Sequence, residues 1–276
     1  MTPARWRLIP FQQTTGPIQM ALDEYLATHH TNVPILRFYQ WMPFAISLGY
    51  HQSAASIHWT TCTEAGIDVV RRPTGGRAIY HAEELTYAVI IPITLENAKH
   101  GIHSVHNQIS RAIANGILRY GVKVALRATG SDLRQHYKNT AESVACFSST
   151  ARYELQIDGK KVVGSAQRRY PGSILQHGSI LLGKEHTKLP LLLRTDEKTR
   201  SRISTQLCEQ TTDLLQYSTG EIRVEKLIRS IQAGFEEIFR CRFEDFPEEN
   251  TAWQSIRDSS EKYRILPNHE TASSSH

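Results

Sequence analysis

The chain has 276 residues, 40% of them apolar and 21% charged, which is the make-up of a globular protein with one large domain or a core and an appendage. No window approaches the roughly 18 uninterrupted apolar residues of a membrane span. The basic start, MTPARWRLIPFQQTTG, lacks the apolar stretch of a secretory signal, so the expected location is the cytoplasm. The net charge of +5 is scattered in doublets (Arg71-Arg72, Lys160-Lys161, Arg168-Arg169), which argues against a nucleic-acid binder and suits an acidic protein partner or an anionic ligand.

Residues 17–30 predict a helix, with Pro17 suited to its first turn. ILRFYQW and FAISLGY predict strands joined by a turn at Met42-Pro43, and TTCTEAG a short helix ending at Gly66. IDVVRR, RAIYH and LTYAVIIPI read as strands, with the PTGG turn after the first. Over 104–120, Val105, Ile109, Ile113, Ile117 and Tyr120 share one helical face, with Ser104 as N-cap and Gly121 as stop. YELQI-DG-KKVVGSA carries the strongest short hairpin signal, a two-residue type I′ turn. That turn sets Gln156 opposite Lys161 and Ala151 opposite Ala166. SILQHGSILL reads as a buried strand, and residues 222–240 as an amphipathic helix with Val224, Leu227, Ile228, Ile231, Phe235 and Ile238 inward. The final PNHETASSSH is polar and predicts disorder. Strands and helices mix without βα alternation, so the expected class is α+β with a mixed, mostly antiparallel sheet flanked by helices.

Several segments have the residue types of chemistry. In RRPTGGRAIYH, Arg72, Gly75, Gly76 and Arg77 can hold an anionic or carbonyl-bearing ligand through backbone N–H groups and guanidinium, or form a tight hairpin with exposed arginines. His81 at the end of that strand can be a base, an anchor or a surface residue. His100, His103 and His106 sit at spacings a metal site could use, but Gly101 and Ser104 place the helix start after His103, so loop histidines in solvent are expected and no metal. The four cysteines, 62, 146, 208 and 241, lack CxxC or zinc spacing and are expected as free thiols. Cys62, Cys208 and Cys241 read as buried and inert. Cys146, in AESVACFSST, has polar neighbours that leave its sulfur accessible. A reactive thiol needs a nearby cation, and Lys161 is the expected source, with Lys160 the solvent-facing lysine of the pair.

Together RRPTGGRAIYH…ELTYAVI, ACF, YELQIDGKKVVGSAQRR and LQHGSILL resemble the biotin/lipoate protein ligase family, and MALDE and LRFYQWMPFAISLGYHQS extend the resemblance to residues 6 to about 185. It implies a fold related to class II aminoacyl-tRNA synthetases and biotin ligases. The implied catalytic domain spans 1–248, with core motifs over 17–185 and a helical part over 220–248; 249–276 form a C-terminal extension.

Within the family, Cys146 with Lys161 after it resembles the octanoyltransferases rather than the ATP-dependent lipoate ligases. The implied reaction needs no cofactor. Cys146 takes octanoyl from octanoyl-acyl-carrier-protein as a thioester, and a lysine of a lipoyl domain, first of all the glycine cleavage H protein, accepts it. The chain is expected to act as a monomer. Arg72, Gly75, Gly76, Arg77, His81, Gly164, Ser165, Ala166, His177 and Gly178 would line the acyl and carrier-arm tunnel. Alternatives are an ATP-dependent ligase, an amidotransferase drawing octanoyl from H protein, and a non-catalytic lipoyl-binding member. One departure stands out: the family often has an acid directly after the histidine matching His81, and here Ala82 stands there, followed by Glu83-Glu84.

Overall fold

The structure, a computed structural model, describes residues 3–95, 98, 101–128, 153–247 and 250–267. Strands β1 (Ala4–Thr14), β2 (Ile35–Trp41), β3 (Ala45–Leu48), β4 (Asp68–Arg71), β5 (Ile79–His81), β6 (Glu84–Pro92), β7 (Ala125–Ala128), β8 (Tyr153–Ile157), β9 (Lys160–Arg169), β10 (Ser173–Leu181) and β11 (Cys241–Asp245) form two sheets. Eight pair in the order β11-β1-β2-β6-β10-β9-β8-β7, and three in the order β4-β3-β5. Only β11-β1, β1-β2 and β3-β4 run parallel, so the sheets are mixed and mostly antiparallel.

Every residue of β6 and β10 is buried, because both faces of the large sheet are covered. On one face lie α3 (Ile102–Tyr120) and α5 (Val224–Phe239), which bury Ile109, Ile113, Ile117, Leu227, Ile231 and Phe235 against strand residues such as Leu36, Val89 and Ile174. The two helices meet backbone to backbone. A Cβ on Gly116 would stand 2.4 Å from Ile231 Cα, and one on Gly234 would stand 2.3 Å from the Ala112 carbonyl. On the other face lies α1 (Gly16–His29), which has Pro17 in its first turn and packs Met20 and Leu26 against Ile35, Ile90 and Leu175.

The small sheet has its own core. Ile46, Leu48 and Tyr80 pack with α2 (Trp59–Glu64), α4 (Glu197–Gln210) and the 3₁₀ segment Glu185–Leu192. The last described stretch, with α6 (Asn250–Ser260), crosses α1 and runs to β4. Ile256 and Tyr263 are buried there, Arg264 pairs with Asp68 at 2.6 Å, and Ile265 N–H donates to the Val69 carbonyl. No helix among the described residues is long and apolar enough to cross a membrane.

Two local expectations change. Helix α3 begins at Ile102 with Gly101 as N-cap, at φ +85°, so Ser104 and His103 lie inside the helix. The hairpin turn has Asp158 and Gly159 at φ +50° and +80°, as type I′ requires, and pairs Gln156 with Lys161. A bulge then sets Leu155 opposite Val163, so the unbroken register ends at Gln156.

Candidate active site

A small cleft opens between the two sheets. Of the residues expected at the site, it gathers Arg72, His81, Gly164, Ser165, Ala166, His177 and Gly178, on β9, β10, β5 and the end of β4. Met20, Tyr39, Trp41, Ser47, Ile79 and Thr86 complete the wall. Gly75, Gly76, Arg77 and Lys161 do not line it.

The glycine turn serves the cleft through Arg72. That side chain is buried at 2% exposure, which rules out the reading of a hairpin with its Arg72 exposed. Its Nε and Nη2 donate to the Gly75 carbonyl (3.2 and 2.9 Å), Nη2 to the Arg77 carbonyl (2.7 Å), and Nη1 to the Ser47 carbonyl and Oγ (2.9 and 3.1 Å). All five guanidinium N–H donors thus have protein acceptors. Arg72 ties the turn to β3 and lends the wall its charge. The turn rests on Gly49, where a Cβ would stand 2.0 Å from the Gly76 carbonyl.

Two buried histidines face the cleft, each fixed at both ring nitrogens. His81 Nδ1 is 2.7 Å from Glu84 Oε1, its Nε2 is 2.7 Å from Ser47 Oγ, and Trp41 stacks on it with centroids 4.0 Å apart. The carboxylate that meets His81 is thus Glu84, three residues on, and not a residue directly after it. Burial alone would raise the Glu84 carboxyl. The charge and hydrogen bond of His81, with the Thr86 and Ser179 hydroxyls, reverse this and hold it below the usual range.

His177 Nδ1 is 2.9 Å from Asp23 Oδ2, and its Nε2 is 2.6 Å from Thr74 Oγ1. Asp23 also accepts from Arg37 Nη1 (2.8 Å) and Tyr39 Oη (3.0 Å). Burial lowers the His177 imidazole despite Asp23, so it is held neutral and hydrogen-bonded at both nitrogens. Sequence reasoning missed Asp23 and Arg37 as a pair. The signal was a charge on the buried stripe of each element: Asp23 beside Met20 and Leu26, and Arg37 inside ILRFYQW.

Lys161 points inward at 6% exposure, while Lys160 is half-buried and donates to the Cys208 carbonyl. The Lys161 ammonium is 3.1 Å from Glu154 Oε1, a buried ion pair two residues along β8 from Gln156, the cross-strand partner of Lys161. His106 on α3 faces the same charge. Burial first, then His103 and Lys161, push its imidazole down to about 4. His103 and His106 are therefore helical rather than loop residues, and His106 is half-buried. His100 lies outside the described residues, among which no group of His, Cys, Asp and Glu could hold a metal.

Cys146 and Ala151 also lie outside the described residues. The flanks are described: Ala128 and Tyr153 are antiparallel partners, so the chain leaves and re-enters the sheet at one point, one residue before Glu154. Burial pushes the Cys62 thiol up to about 11; burial and then Glu236 push Cys241 to about 12. Cys208 is exposed, contrary to its expected burial, because it lies on the outer face of α4.

This two-sheet α+β fold is shared with solved lipoate-ligase structures. A bipartite lipoate protein ligase from Thermoplasma acidophilum superposes with a TM-score of 0.74 at 21% identity, covering 94% of this chain and 93% of that one. A lipoate-protein ligase A bound with ATP gives 0.70 at 21% identity, over 94% and 95%. The family model of the lipoyl protein ligase A/B catalytic domain matches residues 16–236, and the chain belongs to that family. Among sequence relatives, octanoyltransferase LipM of Exiguobacterium sibiricum is 31% identical over 94% of this chain and 96% of its own. That of Symbiobacterium thermophilum is 42% identical over 68% of each, and that of Bacillus subtilis 32% over 86% and 87%.

Proposed function

We propose that this protein is an octanoyltransferase of lipoate biosynthesis. It would move octanoyl from octanoyl-acyl-carrier-protein to a lysine of a lipoyl-domain protein, the glycine cleavage H protein first among them. The carrying observation is the near full-length match, at 31% identity, to a protein named octanoyltransferase. The cleft supports it, since Met20, Trp41 and Ile79 offer apolar surface to an alkyl chain and Arg72 brings charge to the same wall.

The reaction takes two steps. The Cys146 thiolate attacks the carrier's thioester carbonyl; the new C–S bond forms as the old one breaks and the carrier thiol leaves. The acceptor amine then attacks the enzyme thioester, forming the amide and returning the thiol. Thioester exchange is near neutral in free energy and amide formation is downhill, so no ATP is consumed. Lys161 stabilises the thiolate and the developing oxyanion, and Glu154 fixes where its ammonium stands. Such covalent catalysis gives ping-pong kinetics. The protein acts as a cytoplasmic monomer.

The test is intact-mass analysis after mixing with octanoyl-acyl-carrier-protein. An octanoyl adduct that maps to Cys146, and disappears when lipoyl-domain protein is added, is the expected result. No adduct, with transfer seen only from ATP and free lipoate, overturns the reading in favour of a ligase. Using octanoylated H protein as donor in a parallel reaction separates transferase from amidotransferase.

A further inference from the structure

Nearly every bulky side chain in the wall of the cleft is held at its polar end. Tyr39 Oη donates to Asp23 Oδ2 at 3.0 Å, and Trp41 Nε1 to Thr86 Oγ1 at 2.8 Å. His81 and His177 are fixed at both ring nitrogens, and Arg72 at all of its N–H groups. Ser47 lies between Arg72 and His81, and the Ser165 hydroxyl is 2.7 Å from Tyr87 Oη. Ile79 lacks such an anchor, but its branched Cβ restricts its rotamers on β5. Met20, on α1, is held by packing alone. Its unbranched chain has three rotatable bonds, so it can change shape where its neighbours cannot.

The place of Met20 in the cleft gives that freedom a use. The partly exposed residues of the wall are Ser165 and Ala166 on β9, and the rest of the wall is buried. An alkyl chain entering past β9 leads with its methyl end. It comes to rest where exposure is least, against Met20 (1%), Tyr39 (0%) and Ser47 (0%). Tyr39 and Ser47 are locked, so Met20 decides how deep the chain can go. Its own backing is the close-packed core of α1 with Ile35, Ile90 and Leu175. Met20 therefore yields by turning its end, not by retreating, and the room it can give is limited.

We propose that Met20 is the floor of the acyl site and sets the upper limit on acyl length, turning aside far enough for an eight-carbon chain and not for a ten-carbon one. This rests on the octanoyl-transfer reading above, in which the cleft takes the alkyl chain. Two further methylenes would have to displace side chains that are hydrogen-bonded in place, and such displacement breaks buried hydrogen bonds. A chain two carbons shorter leaves the floor uncovered and loses apolar contact. One methylene more or less in an apolar site is worth about tenfold or more in discrimination. Removing the Met20 side chain beyond Cβ opens room below the octanoyl end, and a rigid ring in its place closes the room that the thioether can vacate.

The experiment is a competition in the full-length protein. Hexanoyl-, octanoyl-, decanoyl- and dodecanoyl-acyl-carrier-protein are supplied together at equal concentration, and the early ratios of acyl adducts are read by intact mass. Each ratio is taken within one sample, so a smaller folded fraction cancels from it. Wild type should favour octanoyl over decanoyl about tenfold or more. Met20→Ala should make decanoyl the preferred chain, a rise of about 100-fold or more in the decanoyl-to-octanoyl ratio. Met20→Phe should move the preference to hexanoyl, a change of opposite sign that keeps the test decisive if the alanine variant does not fold. Met20→Leu, close to methionine in volume, should keep octanoyl first. The same order of preference in Met20→Ala and Met20→Phe as in wild type, or a wild type that takes the four chains alike, overturns the role of Met20 and leaves acyl transfer from the carrier standing. Absence of any acyl adduct on the wild-type protein overturns the octanoyl-transfer reading, and the proposed floor with it.

Discussion

At the scale of single residues, the two lysines of the hairpin were separable from sequence because two apolar residues follow them. A strand covered on both faces draws one lysine in, and Lys161 is the buried one. What the sequence did not reveal is that Lys161 already has a counter-charge. A thiolate placed beside it must share the ammonium with Glu154. Glu154→Gln should therefore lower the pH at which Cys146 reacts with iodoacetamide, and Lys161→Ala should raise it by about one to three pH units. The pH profile of the Cys146 peptide, read by mass spectrometry apart from the exposed Cys208, checks both signs. His106 gives a second test. The fold holds its imidazole neutral, with a pKa near 4 against an ordinary 6.5, so the unfolded chain binds the proton more readily. That histidine costs stability as pH falls from about 6.5 to about 4. His106→Gln should flatten the loss, seen as a smaller difference between melting temperatures at pH 6.5 and 4.5.

At the scale of elements, periodicity gave α1, α3, α5 and the β8–β9 hairpin, since each follows from side-chain spacing or from a turn that only Asp-Gly fills well. It misplaced the start of α3, because a glycine at positive φ caps that helix where a serine two positions inside it looked the better cap. The bulge after Gln156 was not legible either. It follows from packing Val162 and Val163 into the same core, which no local pattern states. The cleft's polar chains escaped notice for the same reason: Ser47–His81 and Thr74–His177 join positions 34 and 103 residues apart. The α3–α5 contact is the element most sensitive to added volume. Gly116→Val should cost about 1–3 kcal/mol by forcing the helices apart, measurable by urea denaturation, while the cleft on the other side of the large sheet keeps its geometry.

At the scale of the molecule, the segment after residue 249 behaves as a brace. It buries Ile256 and Tyr263 against α1, and Tyr263 and Lys262 converge on Glu24, next to the Asp23 that holds His177. Truncation after residue 248 should lower the melting temperature by about 10 °C, and should reduce transfer more than carrier acylation if α1 loosens against β10. Calorimetry of the truncated protein checks the first effect. The pairing of Ala128 with Tyr153 has a different kind of consequence. Because the two ends of residues 129–152 meet across a ladder, a two- to four-residue turn can join them without disturbing either strand. On the proposed reading Cys146 falls within that replaceable stretch, so its chemistry could be exchanged by redesign while the strands that line the cleft stay as they are.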